Sequence, residues 1–167
     1  MEKIFLTLIF IFILSQSLHS IEISGTVKII DGDTVHINTK KIRLEGIDAP
    51  EIKQRCKKPF LKISIFIGYE FSKNYSCGVT SKMKLINKIN NSKIKCISSS
   101  KDRYKRYLAI CYKDKINLNK WMVRNGYAVA YKRYSKDYVK DEEFAKENKL
   151  GLWQGSFMMP EKWRKLN

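Results

Sequence analysis

From Ile23 onward, apolar and polar positions alternate along the chain. Val27 and Ile29 alternate with Thr26 and Lys28, Val35 and Ile37 with Thr34 and His36, and Ile42 and Leu44 flank Arg43. A period of two is that of a half-buried strand, whose successive side chains point to opposite faces. Asp31-Gly32 breaks the first pair of strands, and Asn38-Thr39-Lys40 turns the second. The pattern predicts a hairpin of strands 33–38 and 41–46, and two more strands at about 93–98 and 106–112. Residues 47 to 78 hold no clean period. Asp48-Ala49-Pro50 opens an irregular segment, Cys77-Gly78 closes it, and the apolar run Leu61–Tyr69 inside reads equally as a strand or a buried loop.

Val79 to Asn90 reads as a helix, with Thr80 or Ser81 as its cap and Val79, Met83 and Ile86 as its apolar face. Asn117 caps a second helix, which sets Leu118, Trp121 and Met122 on one face and stops at Gly126. A third, from about Asp137, carries Asp141, Glu142 and Glu143 early and Lys146 and Lys149 late, then ends at Gly151. That order complements the helix dipole. Strands gathered first and helices mixed in later predict one α+β domain built on a small barrel. The 167 residues suit a single domain, and no repeat or linker divides them.

The first twenty residues stand outside that fold. Lys3 precedes the apolar run Ile4–Leu14, and a polar stretch follows. The run suits the core of a signal peptide and falls short of the ~20 residues that span a bilayer. Cleavage is expected near Ser17 or Ser20, assigning residues 1–20 to the signal and the mature chain to an exported location, periplasmic or secreted. Export changes the reading of the 4 cysteines, an even set bound for an oxidising compartment. Cys96 and Cys111 lie in two short apolar stretches joined by a polar turn. Antiparallel neighbours would bring them close, which favours Cys96–Cys111 and leaves Cys56–Cys77 to close the irregular loop. A zinc site needs Cys-x-x-Cys or nearby histidines. The mature chain keeps only His36 and has no such spacing.

Charge then narrows the class of partner. Lys+Arg number 33 against 16 Asp+Glu, a net +17 that cleavage leaves unchanged because Glu2 and Lys3 depart together. Such a surplus fits a polyanion, nucleic acid first and an anionic membrane or wall polymer second. An AT-rich genome would also yield a chain rich in Lys, Ile and Asn. Composition poses the question and leaves it open.

The strongest chemical signal is Asp31-Gly32-Asp33-Thr34 followed by Arg43-Leu44-Glu45-Gly46-Ile47-Asp48-Ala49-Pro50-Glu51. In the expected hairpin Asp33 lies opposite Glu45 or Gly46, with Asp48 two or three residues beyond. Diagonal neighbours at that offset are roughly 7–8 Å apart, within reach of one shared cation. Two carboxylates with a backbone carbonyl and waters make a hard-cation site, suited to calcium rather than zinc or copper. Taken alone, the pair is more simply explained by the turn chemistry of aspartate. A second set, Asp102-Arg103-Tyr104-Lys105-Arg106-Tyr107, reads either as a solvated turn or as the source of an arginine that joins Arg43 on a phosphate. Guanidinium suits that work because its planar fork donates two hydrogen bonds and never deprotonates.

These blocks closely resemble the active-site motifs of the thermonuclease (micrococcal nuclease) family. The resemblance continues through Leu118-Asn119, Trp121, Val123-Arg124-Asn125-Gly126, Ala130-Tyr131 and Gly151-Leu152-Trp153, covering roughly residues 23–153 except 52–77. Several motifs in one order are far more specific than any one of them. The tail Pro160-Glu161-Lys162-Trp163-Arg164 also resembles that of exported bacterial members.

The resemblance implies a five-stranded OB-fold-type β-barrel with three α-helices over residues 21–154, an irregular insertion at about 52–78, and a C-terminal tail at 155–167. It implies that Asp33, Asp48 and the main-chain carbonyl of Ala49 hold calcium, and that Glu51 orients or deprotonates the attacking water. Arg43 and Arg106 would grip the phosphate and stabilise the pentacoordinate state, and Tyr131 would line the nucleotide pocket with Lys132 and Arg133 nearby. The expected substrates are DNA and RNA, single-stranded or frayed regions preferred, cut by a monomer that has no stable membrane insertion after signal cleavage.

Three departures from the family pattern stand out: Ala49 replaces a threonine, the hairpin before Arg43 is shorter, and the stretch 52–77 is longer and carries two cysteines. A catalytically inactive OB-fold module that only binds nucleic acid is the main alternative, and it predicts damage to the carboxylate or arginine set. A basic protein resting on an anionic surface is the second, and it leaves both sets unexplained.

Overall fold

The structure, a computed structural model, describes residues 20–63 and 69–167. The signal peptide expected at 1–20 therefore lies, but for its last residue, outside the described residues. Strands β1 (Ile21–Gly25), β2 (Val27–Ile29), β3 (Thr34–Ile37) and β4 (Lys40–Leu44) open the domain. With β8 (Ile94–Lys101) and β9 (Tyr107–Lys113) they form one sheet in the order β1-β8-β9-β4-β3-β2. Its two ends, β1 and β2, are consecutive in the chain with only Thr26 between them. One bent strand thus pairs through its first half with β8 and through its second with β3, closing a five-strand barrel. Closure removes the open edges that would otherwise invite strand addition.

Alternation explains what fills the barrel. Val35, Ile37, Ile42 and Leu44 point inward and are fully buried, as are Cys96, Ala109 and Cys111 from the facing strands. Helix α1 (Cys77–Ile89) adds Leu85 and Ile89, each burial stabilising by roughly 1.5–3 kcal/mol. Its buried face differs from the expected one. Val79 and Met83 are 42% and 46% exposed, whereas Cys77, Ser81, Leu85 and Ile89 face inward at four-residue intervals. A disulfide anchors Cys77 and the Ser81 hydroxyl donates to the Tyr127 carbonyl at 2.7 Å, so polar partners turned the helix by more than apolar periodicity suggested.

Helix α2 (Leu118–Arg124) starts at Asn117, whose side chain accepts from the Lys120 amide as expected of a cap. Within it, the fully buried Asn119 donates to the carbonyls of Glu45 and Ala109 and accepts from the Cys111 amide, stitching β4 and β9 to the helix. Helix α3 (Val139–Glu147) follows, and Pro160–Leu166 forms a fourth, α4, in the segment expected to be a mere tail. Four α-helices are thus found among the described residues, one more than the reading of the sequence.

The stretch 52–78, read as irregular, holds a long antiparallel hairpin of β6 (Arg55–Ile63) and β7 (Tyr69–Ser76). Its period was hidden because lysines occupy both faces and a bulge at Phe60 shifts the register midway. Cys56 bonds Cys77 and packs with Val129 and Leu152 in a small second core, which roots the hairpin to the barrel. The other expected pair also forms, Cys96 lying directly opposite Cys111. Among the described residues no helix is long and apolar enough to cross a membrane.

Candidate active site

The β3–β4 hairpin turns on Asn38 and Thr39, with Asn38 at φ 53°, and closes by pairing Ile37 with Lys40. That tight turn sets the register one residue earlier than expected. Asp33 lies opposite Leu44, whose amide donates to the Asp33 carbonyl at 2.8 Å. Asp48 still returns to Asp33, because Gly46 at φ 74° reverses the chain between β4 and β5 (Ile47–Asp48). A side chain at 46 would meet the Tyr138 ring at 2.9 Å, so both conformation and space call for glycine.

A single guanidinium joins the two buried carboxylates. Arg43 donates through Nη1 to Asp33 Oδ1 at 2.8 Å and through Nη2 to Asp48 Oδ1 at 2.9 Å. The Ala49 amide donates to Asp33 Oδ2 at 2.8 Å, and the Thr34 hydroxyl to Asp33 Oδ1 at 3.0 Å. Asp31 completes the turn by accepting the Asp33 amide at 3.0 Å. Burial first, and then the Asp33 charge, push the Asp31 carboxyl up to about 6. Burial likewise raises Asp48, against the hydrogen bond from Arg164 and the charge of Arg43. Burial works against the charge of Arg43, but Asp33 and Asp48 outweigh it and hold the guanidinium ionised.

Glu51 follows on the same loop and remains one-third exposed. Its backbone is fixed from two sides: the Gln54 amide donates to its carbonyl at 2.8 Å, and α1 begins hard against it. A Cβ on Gly78 would fall 1.8 Å from the Glu51 carbonyl oxygen, so the helix approaches that closely only through glycine.

Arg164 is the functional candidate that sequence reasoning missed. From α4 it donates to both oxygens of Asp48, at 2.8 and 3.0 Å, and to Glu51 Oε1 at 3.0 Å. Burial opposes its charge, and Asp48 and Glu51 more than offset that, raising it further above its ordinary value. The local signal was a helix start, Pro160 followed by Glu161, that carries an arginine one turn on. Gln54, fully buried, ties the Glu51 turn to the same tail by donating to the Met158 carbonyl.

The other expected residues divide. Arg106 precedes β9 by one residue, and β9 sets Leu108 beside Arg43. Its guanidinium, however, bonds Asp102 at 2.7 and 2.8 Å and makes no bond to the central carboxylates. Tyr131 is held near the centre, its amide donating to the Gly46 carbonyl at 2.9 Å. Burial first, then the charges of Glu161 and Asp48, raise its phenol. Lys132 pairs with the buried Glu142 at 2.6 Å and Arg133 with Glu161 at 3.1 Å, and neither bonds Asp33 or Asp48.

Among the described residues no three His, Cys, Asp or Glu side chains converge as a ready metal cluster. The donor set nonetheless fits a hard cation. Asp33, Asp48 and Glu51 share two guanidiniums, with Asp31 on the adjoining turn raised by burial first and then by the Asp33 charge, and a divalent ion would balance this acid.

The staphylococcal nuclease homologue family model matches residues 41–155. The chain belongs to the staphylococcal nuclease family. It is 35% identical over 174 residues to an uncharacterized endonuclease of Haemophilus influenzae, covering 98% of this chain and 86% of that one. An uncharacterized endonuclease of Escherichia coli O157:H7 is 30% identical with 90% of each chain covered. The micrococcal nuclease of Shigella flexneri is 27% identical over 83% of this chain and 78% of its own. This family member is a nuclease, and its substrates are nucleic acids.

Proposed function

We propose that the protein is an exported, calcium-dependent endonuclease that hydrolyses phosphodiester bonds of DNA and RNA by in-line attack of water. The observation that carries this reading is the junction of Asp33 and Asp48 on one Arg43 guanidinium with Glu51 on the adjoining loop. Asp33, Asp48 and the Ala49 carbonyl are the residues that would hold calcium. Bound there, it would supply Lewis-acid neutralisation of a phosphate oxygen and a template for the attack.

The chain's own groups do the rest. Glu51, partly open to solvent, orients a water and takes its proton. Arg43 donates to the phosphate oxygens as charge builds on them, and Arg106 exchanges its bond to Asp102 for the same phosphate. Tyr131 stacks against the nucleotide, and its neighbours Lys132 and Arg133 meet more distant phosphates once they leave their carboxylates. Two disulfides and a basic mature chain are consistent with export and with a polyanionic substrate.

The deciding experiment is cleavage of denatured DNA by the oxidised mature chain with calcium and then with a chelator. Calcium-dependent fragmentation, lost in Glu51→Gln, is the expected result. A folded protein that binds nucleic acid without cutting it would instead be a binding module on the same barrel.

A further inference from the structure

The β6–β7 hairpin is an arm with little acid in it. Lys57, Lys58, Lys62 and Lys73 lie on it against Glu70, and from Phe71 to Lys101 the chain holds no Asp or Glu. Register sorts its residues by face. Cys56 pairs with Tyr75 and Lys58 with Lys73, so these four share one side of the ribbon. Farther out, the bulge leaves Phe60 unpaired beside Phe71, and the two rings are 66% and 51% exposed. Lys73 Nζ sits 5.2 Å from the Phe60 ring centre and Lys58 Nζ 5.3 Å from that of Tyr75. Rings and ammonium groups therefore alternate along the arm.

The same alternation continues past the root of the arm. Lys58 and Tyr75 line a groove of about 260 Å³ whose far wall holds Lys84 and Tyr127. Lys84 Nζ is 5.5 Å from the Tyr127 ring, which packs 5.4 Å from Trp121, and Lys88 Nζ is 5.2 Å from Trp121 in turn. Ser81, also in the groove, packs against Gly32, the chain neighbour of Asp33, so the groove adjoins the carboxylate loop. A hydrophobic partner would be met by a contiguous apolar patch, and a purely ionic one by charge alone. Rings interleaved with cations fit a strand whose bases stack while its phosphates pair.

From these observations we infer that the hairpin arm and the groove at its root form an extended binding track for single-stranded nucleic acid leading past the catalytic loop. The inference rests on the proposed nuclease reading for the identity of the polyanion. Phe60 and Phe71 stack bases at the outer end, Lys58 and Lys73 take the phosphates between, and Lys84 and Lys88 serve the inner end.

The test is binding of an end-labelled 20-nucleotide DNA in the presence of chelator, followed by fluorescence anisotropy, so that no turnover is required. Phe60→Ala/Phe71→Ala is expected to weaken binding roughly ten-fold or more, and to weaken it far less for an abasic strand of the same length. Lys58→Gln/Lys73→Gln weakens both strands and flattens the salt dependence. Unchanged affinity in both double variants, with folding verified by circular dichroism and by titration of free thiols, overturns the track. Equal loss for abasic and normal strands overturns the stacking role. Loss of binding to phosphatidylglycerol vesicles with DNA affinity retained overturns it in favour of a membrane surface. Failure of the nuclease reading shows separately, as absence of calcium-dependent cleavage by the wild-type chain.

Discussion

The barrel wall and the 102–106 turn each carry an arginine expected to grip phosphate, and they hold it in opposite ways. Arg43 rises from the middle of the sheet onto two buried carboxylates, with backbone pairing on both sides of β4. Arg106 ends a polar turn in which Lys105 adopts φ 62°, and it bonds one carboxylate near solvent. Slight burial works against ionisation of Asp102, but hydrogen bonds from Arg106 outweigh it and hold the carboxyl below its ordinary value. The strand-borne arginine is preorganised by the fold and also supports it. The turn-borne one holds a single carboxylate, the partner it would give up in the proposed mechanism.

Substitutions separate those roles. Arg43→Ala should do the greatest damage, because it removes the proposed phosphate donor and leaves Asp33 buried without its guanidinium. A stability loss of about 3 kcal/mol or more is expected in urea unfolding, together with loss of cleavage. Wild-type stability in that variant would show that the ion pair carries no structural weight. Arg106→Ala should cut turnover about a hundred-fold while moving stability by less than about 1 kcal/mol. Near-normal cleavage by the folded variant would remove Arg106 from the mechanism.

The disulfides sharpen the contrast between wall and appendage. Opening either bond should cost on the order of 2–4 kcal/mol, measured by unfolding of the paired Cys→Ala variants. Loss of Cys96–Cys111 should lower the stability of the whole barrel. Loss of Cys56–Cys77 should chiefly expose the hairpin arm to protease, and a uniform response in both would contradict separate rooting of the arm. The smallest effect is expected at Arg164, a partly exposed partner of Asp48 and Glu51. Its removal takes a competing cation from the carboxylates. Arg164→Ala should lower the calcium needed for half-maximal cleavage by roughly five-fold, equivalent to about 1 kcal/mol. An increased calcium requirement would mean that Arg164 positions the carboxylates instead of competing for them.

Much of the candidate site's geometry was legible because its parts are near one another in the chain. Asp33, Arg43 and Asp48 span one hairpin and one turn, so strand alternation and turn residues nearly suffice to bring them together. Even there the register slipped by one residue, since only the two-residue turn at Asn38-Thr39 decides whether Asp33 meets Leu44 or its successor. The apolar face of α1 was misread for a related reason. Ser81 counts as polar along the chain, yet a carbonyl waits for its hydroxyl inside the fold.

What the sequence determined by itself was local: the alternating strands, the Asn117 cap, the opposed cysteines of one hairpin, and the acidic and basic types gathered between Asp31 and Glu51. These follow from backbone period and side-chain chemistry over a few residues. Closure of the barrel by the bent β1–β2 strand, the burial of Asn119 against Glu45, and the arrival of Arg164 at Asp48 were decided only in three dimensions. Arg164 stands 116 residues from its partner, and no periodicity reports which distant cation will meet a buried carboxylate. That choice depends on the packing of α4 and the Gln54 bond that holds its approach, because a buried charge is satisfied by whichever partner the completed fold delivers.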